Sequence, residues 1–498
     1  MAATQVIVIG AGVGGLTAAI ELAAAGYAVT VVERAATPGG KLRQIHDKSV
    51  AIDAGPTVFT MRWVFEQLFD ATGASLDDYI TTRAVATLAR HAWGPGETLD
   101  LFADHAASVA AIGSFAGAAE ARRYEQFCLD AAKTYRTLED TFLARQRTTP
   151  FGLSARIAAS RPADLFSIRP FETLWAALGR SFHNSHLRQL FGRYATYSGA
   201  SPFAAPATLM LIAHVENSGV WAVDGGMYAL ATGLARRASE LGVAFRYGVE
   251  VETILVGAHG ASGVELAGGE RLAAARIVVN ADPQAIATGC FGIAAKRAVP
   301  AMPVAARSLS ALTWTFCAPT AGFALSHHNV FFSGDYAAEF EALKDGRLPS
   351  DPSVYVCAAD RSVDPGLRGP ERLHMIVNAP PIGDALSREA IDACEKATFD
   401  RLAACGLTVS DALGTRTTPA DFAAMFPATG GALYGRASHG WMASFQRPGA
   451  RTRIPGLYLA GGATHPGAGV PMAALSGRLA AQAVLADARQ ADRRSTAR

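Results

Sequence analysis

Charged residues are scarce in this sequence. Asp, Glu, Lys and Arg make up 18% of the 498 residues, against about 25% in average proteins, and the net charge is only +2. This balance excludes a disordered chain and a strongly basic surface, so we expect no nucleic-acid partner. Because 50% of the residues are hydrophobic, a chain of this length can build a core that needs no disulfide or metal.

The sequence also has few cysteines, no long apolar run and no recognisable leader. The six cysteines form no C-x-x-C pair and do not cluster with histidine at metal-ligand spacing, so we predict buried thiols and no metal site. No stretch of about 20 residues is apolar enough to span a bilayer. A strand begins at Val6 without a preceding signal peptide. We therefore expect a protein of the cytoplasm or of the cytoplasmic face of a membrane.

The N-terminal segment carries the pattern of a dinucleotide-binding βαβ unit. A buried strand from Val6 to Ile9 precedes a glycine loop, a helix with an apolar face follows, and a second strand from Val29 to Val32 ends at Glu33. The helix N-terminus offers unpaired N–H groups to a pyrophosphate, and Glu33 can accept hydrogen bonds from ribose hydroxyls. The glycines permit a tight turn, close approach of the backbone to phosphate and close helix packing; they are Gly10, Gly12, Gly14 and Gly15.

The segment after Glu33 narrows the type of dinucleotide. Its stretches Pro38-Gly39-Gly40-Lys41-Leu42-Arg43 and Ile52-Asp53-Ala54-Gly55-Pro56-Thr57 resemble the flavin amine oxidase and phytoene desaturase superfamily. This resemblance implies FAD as the cofactor, with the first stretch beside the phosphates and the second beside the flavin. Arg43 can offer a guanidinium to phosphate, although a surface cation and an ordinary Gly-Pro turn stay open as alternatives. The candidate FAD ligands in this segment are Arg34, Gly40, Lys41, Arg43, Gly55, Pro56 and Thr57.

A second glycine signature lies near the C-terminus. A strand starting at Ile454 runs into glycines, and Thr464-His465-Pro466-Gly467-Ala468-Gly469 leads into a helix predicted from Ala473 to Ala486. The dipole and N–H groups at this helix start would stabilise the negative charge of a reduced flavin. The His-Pro-Gly-Ala-Gly block is similar to that of phytoene desaturases. The candidate flavin contacts are Gly461, Gly462, Val470, Pro471 and Met472.

The residues around this block resemble one branch of the carotenoid desaturases. The continuation Val-Pro-Met-Ala-Ala-Leu-Ser-Gly-Arg, the stretch 431–436 and His439-Gly440 are similar to the 1-hydroxycarotenoid 3,4-desaturases of phototrophic bacteria. The implied reaction is FAD-dependent formation of a C3–C4 double bond in a long-chain carotenoid drawn from the membrane, with a quinone or oxygen as electron acceptor. The implied location is the surface of the inner membrane, with peripheral attachment.

Two alternative functions stay open. One is desaturation of phytoene, which the intact Pro466-Gly467 motif allows and Met472 mildly disfavours. The other is non-catalytic binding of prenyl groups, as in the GDP-dissociation inhibitors of Rab proteins, which share this fold without needing a flavin. An amine oxidase is disfavoured because the last motif departs from the aromatic flavin-site pattern of that family.

The resemblance implies an α/β fold class. We expect a discontinuous Rossmann-type FAD-binding domain in residues 1–82, 223–300 and 454–490, a helical membrane-facing region in 83–222, and a mixed α+β substrate domain in 301–453. The element Asp224-Gly225-Gly226-Met227 re-enters the FAD domain, where Val249 or Val251 would meet the adenine through its backbone. We predict strands at 312–316, 330–332 and 375–378, a helix at 388–405, and a frayed charged tail at 490–498.

Residues 145–193 combine many arginines with large apolar side chains. The segment contains eight arginines but only two acidic residues, Asp164 and Glu172. Phe171 and Trp175 are among the apolar residues between the arginines. This composition suits a helix lying among anionic lipid headgroups. The alternative is a set of amphipathic helices packed on their own domain with a solvated basic face.

No residue stands out as a catalytic base. Desaturation removes a hydride and a proton from adjacent carbons, and flavin is the natural two-electron acceptor. Conjugation spreads the developing positive charge, so the reaction does not demand a strong base. His439, His465 and Asp53 lie near the motifs as weak candidates, each more typical of a structural role. The polar partner that a hydroxyl end group needs in an apolar tunnel is not identifiable from the sequence.

Overall fold

A five-stranded parallel sheet is assembled from distant parts of the chain. The computed structural model describes residues 4–47, 50–164, 171–410 and 414–496. The N-terminal strand is central, and its residues Val6, Ile7 and Val8 are fully buried. In spatial order the strands are Leu457–Leu459, Ile277–Val279, Gln5–Ile9, Ala28–Glu33 and Ala244–Tyr247. The α/β class and the discontinuous Rossmann-type sheet are therefore confirmed.

Helices cover this parallel sheet, and the first and last of them pack against each other. The long apolar faces of these helices enter one core with the strands. The covering helices are Val13–Ala24, Trp63–Asp70, Tyr228–Glu240 and Val470–Thr496. The last helix continues beyond Ala486 to Thr496. The expectation of a frayed tail from Gln490 is therefore wrong for residues 490–496, and residues 497–498 lie outside the described residues.

A larger, mostly antiparallel sheet forms the second half of the molecule. The strands predicted at 312–316, 330–332 and 375–378 are confirmed at the core of longer or shifted strands, and the helix predicted at 388–405 is Arg388–Ala404. In spatial order the strands are Leu407–Val409, Ser310–Gly322, Pro370–Ala379, Val354–Ala358, His328–Phe331, Thr87–Gly94 and Glu97–Phe102, with Thr415–Thr417 also paired to Ser310–Gly322.

One expectation about the helical region 83–222 is corrected. Residues 87–102 form a hairpin of this larger sheet rather than helix, and Thr87–Gly94 pairs in parallel with His328–Phe331. Val249 lies just before the strand that begins at Val251. The remaining strands are Val251–Gly257, Gly260–Leu266 and Arg271–Ala273 in one small sheet, Gln44–Asp47 with Val50–Asp53, and Thr82–Ala84 with Trp221–Val223.

A helical region packs beside the larger sheet around a core rich in aromatic rings. Its helices are His105–Ala116, Ala118–Leu138, the π-helical turn Glu139–Leu143, Pro150–Ser160, Leu174–Ser181, Ser185–Gly192, the 3₁₀ helix Arg193–Ser198 and Leu211–Asn217. Shorter helices elsewhere are Pro283–Thr288, Tyr336–Lys344, Pro419–Met425 and Ala443–Gln446. Among the described residues, no helix combines the length and apolar character needed to cross a membrane.

Most apolar side chains of the arginine-rich segment 145–193 face the protein's own cores. Leu153, Ile157, Leu174, Leu178 and Phe182 are buried. By contrast, the side chains of Phe151 and Phe171 are 85% and 79% exposed. The residues Leu165, Phe166, Ile168 and Arg169 lie outside the described residues. The alternative of helices packed on their own domain therefore holds for most of the described segment.

Candidate functional site

The start of the first helix is buried and lacks a capping side chain. Gly12 is the N-cap of Val13–Ala24, no side chain accepts a hydrogen bond from the first turn, and Val13, Gly14 and Gly15 are buried. The first N–H groups of a helix have no helical partner and need another acceptor when they are buried. The dipole at this end also favours negative charge. The arrangement therefore fits the pyrophosphate of a dinucleotide such as FAD.

Close backbone contacts explain why glycine is required in this loop. A Cβ on Gly15 would lie 2.1 Å from the carbonyl oxygen of Gly10, whose own φ is +96°. A Cβ on Gly14 would lie 2.7 Å from the amide nitrogen of Gly461. The N-terminal glycine loop and the C-terminal glycine signature therefore touch each other, as one site requires.

Asn280 connects these two glycine segments, and the sequence analysis missed it. Its Nδ2 donates to the carbonyl oxygen of Gly10 at 3.3 Å, and its Oδ1 would lie 2.7 Å from a Cβ on Gly461. Asn280 directly follows the strand Ile277–Val279. A polar residue at the carboxyl end of a strand between two glycine loops was the available signal, because ligands of open parallel sheets bind at that edge.

Glu33 is fixed beside the glycine loop. Its Oε2 accepts a hydrogen bond from the N–H of Ala11 at 2.7 Å, and its Oε1 accepts one from the N–H of Ala35 at 2.9 Å. The N–H of Val249 donates to the carbonyl oxygen of Glu33 at 3.1 Å, whereas Val251 is buried within its own small sheet. Of the two adenine candidates, Val249 is therefore the one held next to Glu33.

The three cations of residues 34–43 all contact the segment 417–433. Arg34 donates to the carbonyl oxygens of Ala424 and Met425. Arg43 donates to Thr417 Oγ1 at 3.3 Å. Lys41 donates to the carbonyl oxygen of Leu433. Two aromatic rings complete these contacts, since Lys41 lies over Phe426 and Arg43 over Phe422.

Lys41 and Arg43 are partly shielded from water, whereas Arg34 is exposed. Burial lowers the pKa of Lys41, which the charge of Asp282 partly offsets, and burial also lowers the pKa of Arg43. A buried cation is costly unless an anion or a hydrogen-bond acceptor accompanies it. Arg43 already faces Thr417, so its contact with a phosphate stays a prediction.

The turn at residues 55–57 packs directly on the Gly-Gly-Lys stretch. A Cβ on Gly55 would lie 1.9 Å from the carbonyl oxygen of Lys41. Pro56 is exposed, and the Oγ1 of Thr57 lies 2.6 Å from the hydroxyl of Tyr355. The turn therefore connects the parallel-sheet half to the larger sheet.

Asp53 ties this turn to the Gly-Gly-Met element. Its carboxylate accepts hydrogen bonds from the N–H of Met227 and from Gln44, and a Cβ on Gly226 would collide with it. Burial raises the pKa of Asp53. These contacts give Asp53 a structural role in joining two chain segments.

A buried arginine, which the sequence analysis also missed, holds the C-terminal glycine signature. Arg447 is 2% exposed and donates to the carbonyl oxygens of Gly462 at 3.2 Å, Tyr434 at 2.9 Å and Arg436 at 2.5 Å. Burial lowers the pKa of Arg447 to about 10, although the charge of Asp282 opposes this shift.

The last helix begins at this signature. Gly461 and Gly462 lead through the loop to Val470, where the helix starts, with Pro471 and Met472 in its first turn. The first turn contains no acidic residue. Its positive end is thus available to a group that becomes negative on reduction.

Comparison with known proteins identifies the family. The model of the flavin containing amine oxidoreductases matches residues 13–315 and 418–485. A hydroxyneurosporene desaturase of Rubrivivax gelatinosus is 50% identical over 489 residues, which cover 97% of this chain and 93% of that protein. A hydroxyneurosporene desaturase of Cereibacter sphaeroides is 46% identical, with 97% and 98% covered. This chain belongs to the carotenoid desaturases of the flavin-containing amine oxidoreductase family. It is an FAD-dependent oxidoreductase.

Solved structures support the fold of this carotenoid desaturase. An oxidoreductase from Methanosarcina mazei has a TM-score of 0.58 at 16% identity and covers 95% of this chain and 99% of that one. Putrescine oxidase bound to putrescine has a TM-score of 0.56 at 15% identity, with 97% and 99% covered. At these identities the likeness concerns the fold alone.

The two histidines considered as catalytic candidates both hold chain segments of the desaturase together. The Nε2 of His465 lies 2.8 Å from the carbonyl oxygen of Arg145 and 3.1 Å from that of Phe142. Burial lowers the pKa of His465 to about 4, so the imidazole is neutral near pH 7. The Nε2 of His439 accepts a hydrogen bond from the N–H of Ser201 at 2.9 Å. A catalytic role for either stays a hypothesis.

The cysteines differ from the expectation in two respects. Cys357, Cys394 and Cys405 are buried as expected, but Cys290 is exposed. Cys357 also lies with His327 and His328, with potential ligand atoms all within 4.8 Å of one another. Spacing along the chain did not indicate this group, because it forms between paired strands. Burial raises the pKa of Cys357 to about 12, which disfavours the thiolate that binds metals.

Proposed function

We propose that this carotenoid desaturase introduces a C3–C4 double bond into 1-hydroxycarotenoids of the hydroxyneurosporene or hydroxylycopene type. The observation that carries this proposal is the contrast among relatives. Three proteins named hydroxyneurosporene desaturase are 42–50% identical over 97% of this chain. A protein of Myxococcus xanthus named zeta-carotene-forming phytoene desaturase is 30% identical over the same share.

The residues of the site have distinct roles in this proposal. FAD, when bound, accepts the hydride that leaves one carbon, while a proton leaves the adjacent carbon. The glycine loop at 10–15 would hold the pyrophosphate, and Glu33 the ribose, with Val249 beside the adenine. The stretch 39–43 would lie beside the phosphates, and the turn 55–57 and the segment 461–472 beside the flavin. The start of the last helix would stabilise the reduced, more negative form of the flavin.

The domain organisation follows the parallel sheet. Its strands come from the three segments 1–82, 223–300 and 454–490, which supports their assignment to one FAD-binding domain. The hairpin at 87–102 pairs with the larger sheet, so we assign it to the substrate domain with residues 301–453. The helical region then begins at His105.

A pigment profile tests the proposed reaction. The gene would be expressed in a host that supplies both phytoene and 1-hydroxyneurosporene, and absorption spectra would be read across a chromatogram. We expect a hydroxycarotenoid with a red-shifted spectrum, because one more conjugated double bond is added, and phytoene that is not consumed. Consumed phytoene beside untouched hydroxycarotenoid would instead assign this chain to phytoene desaturation. A flavin-loaded protein that changes neither substrate would refute both reactions.

The prenyl-binding alternative receives no support from the comparisons. The chain belongs to a family of oxidoreductases, and its two glycine signatures meet at one site through Gly14 and Gly461. That alternative predicts a purified protein without bound flavin. We expect instead that the purified protein binds flavin and is yellow.

We further propose that the enzyme attaches peripherally to an anionic membrane surface, where a long-chain carotenoid is dissolved. Among the described residues of the arginine-rich segment, Phe151 and Phe171 are exposed aromatic side chains, and Phe171 contacts the partly exposed Trp441 at 5.2 Å between ring centroids. Large apolar side chains near arginines suit the boundary between headgroups and acyl chains. Trp175 is less suited to this role than expected, because it packs against Phe203.

Sedimentation with anionic liposomes tests this attachment. The double variant Phe151→Ser/Phe171→Ser should remain in the supernatant, because it removes two exposed apolar groups. Leu129→Ser is the matched control, since Leu129 is 62% exposed on another helix. Equal sedimentation of the double variant and the control would contradict the proposal.

A quinone or oxygen as electron acceptor is tested by the rate at which each reoxidises the reduced enzyme.

A further inference from the structure

A group of polar side chains lies between the turn at residues 55–57 and the larger sheet. One member belongs to the turn, two lie on strands of the larger sheet and three lie in the helical region; two of the six are buried and four are half-buried. An apolar polyene gives no reason for such a group, because buried polar atoms are costly unless they are hydrogen-bonded. We call it the interior polar cluster; its members are Thr57, Arg193, Tyr197, Glu216, His328 and Tyr355.

One arm of the interior polar cluster is a chain of hydrogen bonds that starts at the flavin-facing turn. Thr57 Oγ1 lies 2.6 Å from the hydroxyl of Tyr355, and this hydroxyl lies 2.7 Å from Nδ1 of His328. Burial and the charge of Arg193 lower the pKa of His328 well below its ordinary value. His328 is therefore a neutral imidazole, with one ring nitrogen protonated and the other able to accept.

The far end of this arm is left open. His328 is 2% exposed, and its Nε2 has no hydrogen-bond partner among the residues that the structure describes. A buried polar atom without a partner is rare in folded proteins and calls for a ligand, a water or a functional explanation. Nε2 of His328 is thus a buried acceptor or donor that a ligand group could satisfy.

The second arm of the cluster is a half-buried cation with its counter-charge. The guanidinium of Arg193 lies 5.2 Å from the ring centroid of Tyr355 and 5.1 Å from that of Tyr197, to whose hydroxyl it donates at 3.2 Å. Tyr197 donates in turn to Oε1 of Glu216 at 2.6 Å, and Tyr194 donates to Oε2 at 2.7 Å. A guanidinium has five N–H donors. In the described part of the chain, this contact with Tyr197 is the one side-chain hydrogen bond that Arg193 donates.

The cluster also adjoins the other wall of the flavin site. Tyr434 lies close enough to Arg193 for the guanidinium charge to act on the pKa of its phenol. The carbonyl oxygen of Tyr434 accepts from Arg447, which also binds Gly462 of the C-terminal signature. Thr57 and Tyr434 therefore reach the cluster from both flavin-facing segments.

The proposed reaction places an alcohol at this position. In a 1-hydroxycarotenoid the oxygen is on C1, and C3 is only two carbon–carbon bonds away, each about 1.5 Å long. When C3 and C4 lie against the flavin, the hydroxyl lies within a few ångströms of the same region. A polar group that binds it must then adjoin the flavin-facing residues, as the interior polar cluster does.

We propose that the interior polar cluster binds the tertiary hydroxyl of the carotenoid end group and thereby selects hydroxylated substrates. This inference rests on the proposed function. The substrate hydroxyl donates to Nε2 of His328, Nδ1–H of His328 donates to Tyr355, and Tyr355 donates to Thr57. Arg193 donates to the substrate oxygen. The substrate hydroxyl, Nδ1–H of His328 and the hydroxyl of Tyr355 then each have an acceptor, and the unpartnered ring nitrogen of His328 gains a donor.

Equilibrium binding tests the inference without turnover. The flavin-loaded enzyme would be titrated with 1-hydroxyneurosporene in detergent micelles and with its analogue in which the hydroxyl is replaced by hydrogen. Binding is read from the shift in polyene absorption. We expect the alcohol to bind roughly 10- to 100-fold more tightly, as a buried hydrogen-bonding site that loses its partner predicts. Equal affinities of the unaltered enzyme for the two ligands would overturn the inference.

Variants identify the residues that carry the preference. His328→Phe and Tyr355→Phe should each lower the ratio of the alcohol's affinity to that of its analogue at least about fivefold, because each removes a link of one hydrogen-bond chain. The loss should come from weaker binding of the alcohol, with binding of the analogue unchanged. Tyr79→Phe is the matched control, since its hydroxyl contacts Glu240 at the surface. An unchanged ratio in flavin-loaded His328→Phe, or an equal loss for both ligands, would refute the assignment. Turnover is measured in a separate assay. Absence of turnover would refute the proposed reaction, whereas the binding measurement alone decides whether the interior polar cluster binds the hydroxyl.

Discussion

Substitution of Gly477 by alanine tests whether close packing of the first and last helices positions the flavin-facing glycines. A Cβ on Gly477 would lie 2.2 Å from the carbonyl oxygen of Gly14 and 2.9 Å from Cβ of Thr17. Ordinary van der Waals contact begins at 3.4 Å, so the two helices must separate by about 1 Å at this crossing. The separation would displace Gly14 from Gly461 and open the glycine site.

The size of the effect follows from two opposing contributions. Alanine in place of glycine inside a helix stabilises by up to about 1 kcal/mol, whereas overpacking of a core costs about 1–3 kcal/mol. Gly113→Ala is the matched control, because its Cβ would meet Ala121 at 3.6 Å, an ordinary contact. The helix-propensity gain is common to both variants. Their free energies of unfolding should therefore differ by about 1–3 kcal/mol, the overpacking cost itself.

Two measurements check this prediction. Thermal unfolding should show a lower Tm for Gly477→Ala than for Gly113→Ala, and FAD retention during gel filtration should be lower for Gly477→Ala alone. A loss of about 1.4 kcal/mol in FAD binding would raise its Kd tenfold. The reasoning is refuted if Gly477→Ala matches Gly113→Ala in both Tm and retained flavin.

Three further predictions concern the same site. Glu33→Ala should raise the Kd for FAD about tenfold in a flavin titration, because a carboxylate that accepts charge-assisted hydrogen bonds is removed; an unchanged Kd would contradict its role. Arg447→Met should cost about 3 kcal/mol or more in chemical denaturation, since three buried carbonyl oxygens lose their donor; a loss below about 1 kcal/mol would be too small for this contact set. The pKa of His465 is lowered to about 4, so the folded protein holds the imidazole neutral while the unfolded chain protonates it below about pH 6.5. The free energy of unfolding is therefore highest above about pH 6.5 and falls by up to about 3 kcal/mol as the pH falls toward 4. His465→Phe should flatten this pH dependence of Tm, and an identical slope in both proteins would count against it.

The first glycine loop was predictable because its constraints are local. A strand, a tight turn, a helix start and a second strand occur within residues 5–33, and each has its own sequence requirement. Glu33 follows from the same short segment. The first βαβ unit could therefore be placed from local spacing, whereas the later segments of the FAD-binding domain followed from the family resemblance.

The hairpin at residues 87–102 was missed although local signals for it exist. Pro95 and Gly96 separate Thr87–Gly94 from Glu97–Phe102, and such residues are typical of turns between strands. The second strand alternates between polar and buried apolar residues at Thr98, Leu99, Asp100 and Leu101. The helical region therefore begins after this hairpin, at His105.

Other parts of the site depend on contacts between distant segments. Asn280 is positioned by Gly10 and Gly461, and Arg447 by carbonyl groups in two separate loops. The interior polar cluster joins Thr57, Arg193 and Tyr355, which lie far apart in the chain. No spacing rule links such residues. Arg193 illustrates the difficulty, because its sequence context favoured a lipid-facing arginine and the structure places it in the interior.

Positive charge exceeds negative charge in the interior of this site. Lys41 and Arg447 are buried cations that share one acidic neighbour, Asp282, and burial lowers the pKa of both. Two buried cations with one anion leave positive potential at the flavin-facing surface, which is costly without a bound anionic group. The phosphates and the reduced ring of FAD supply such groups. FAD binding should therefore contribute to folding stability as well as to chemistry, in proportion to RT ln(1 + [FAD]/Kd).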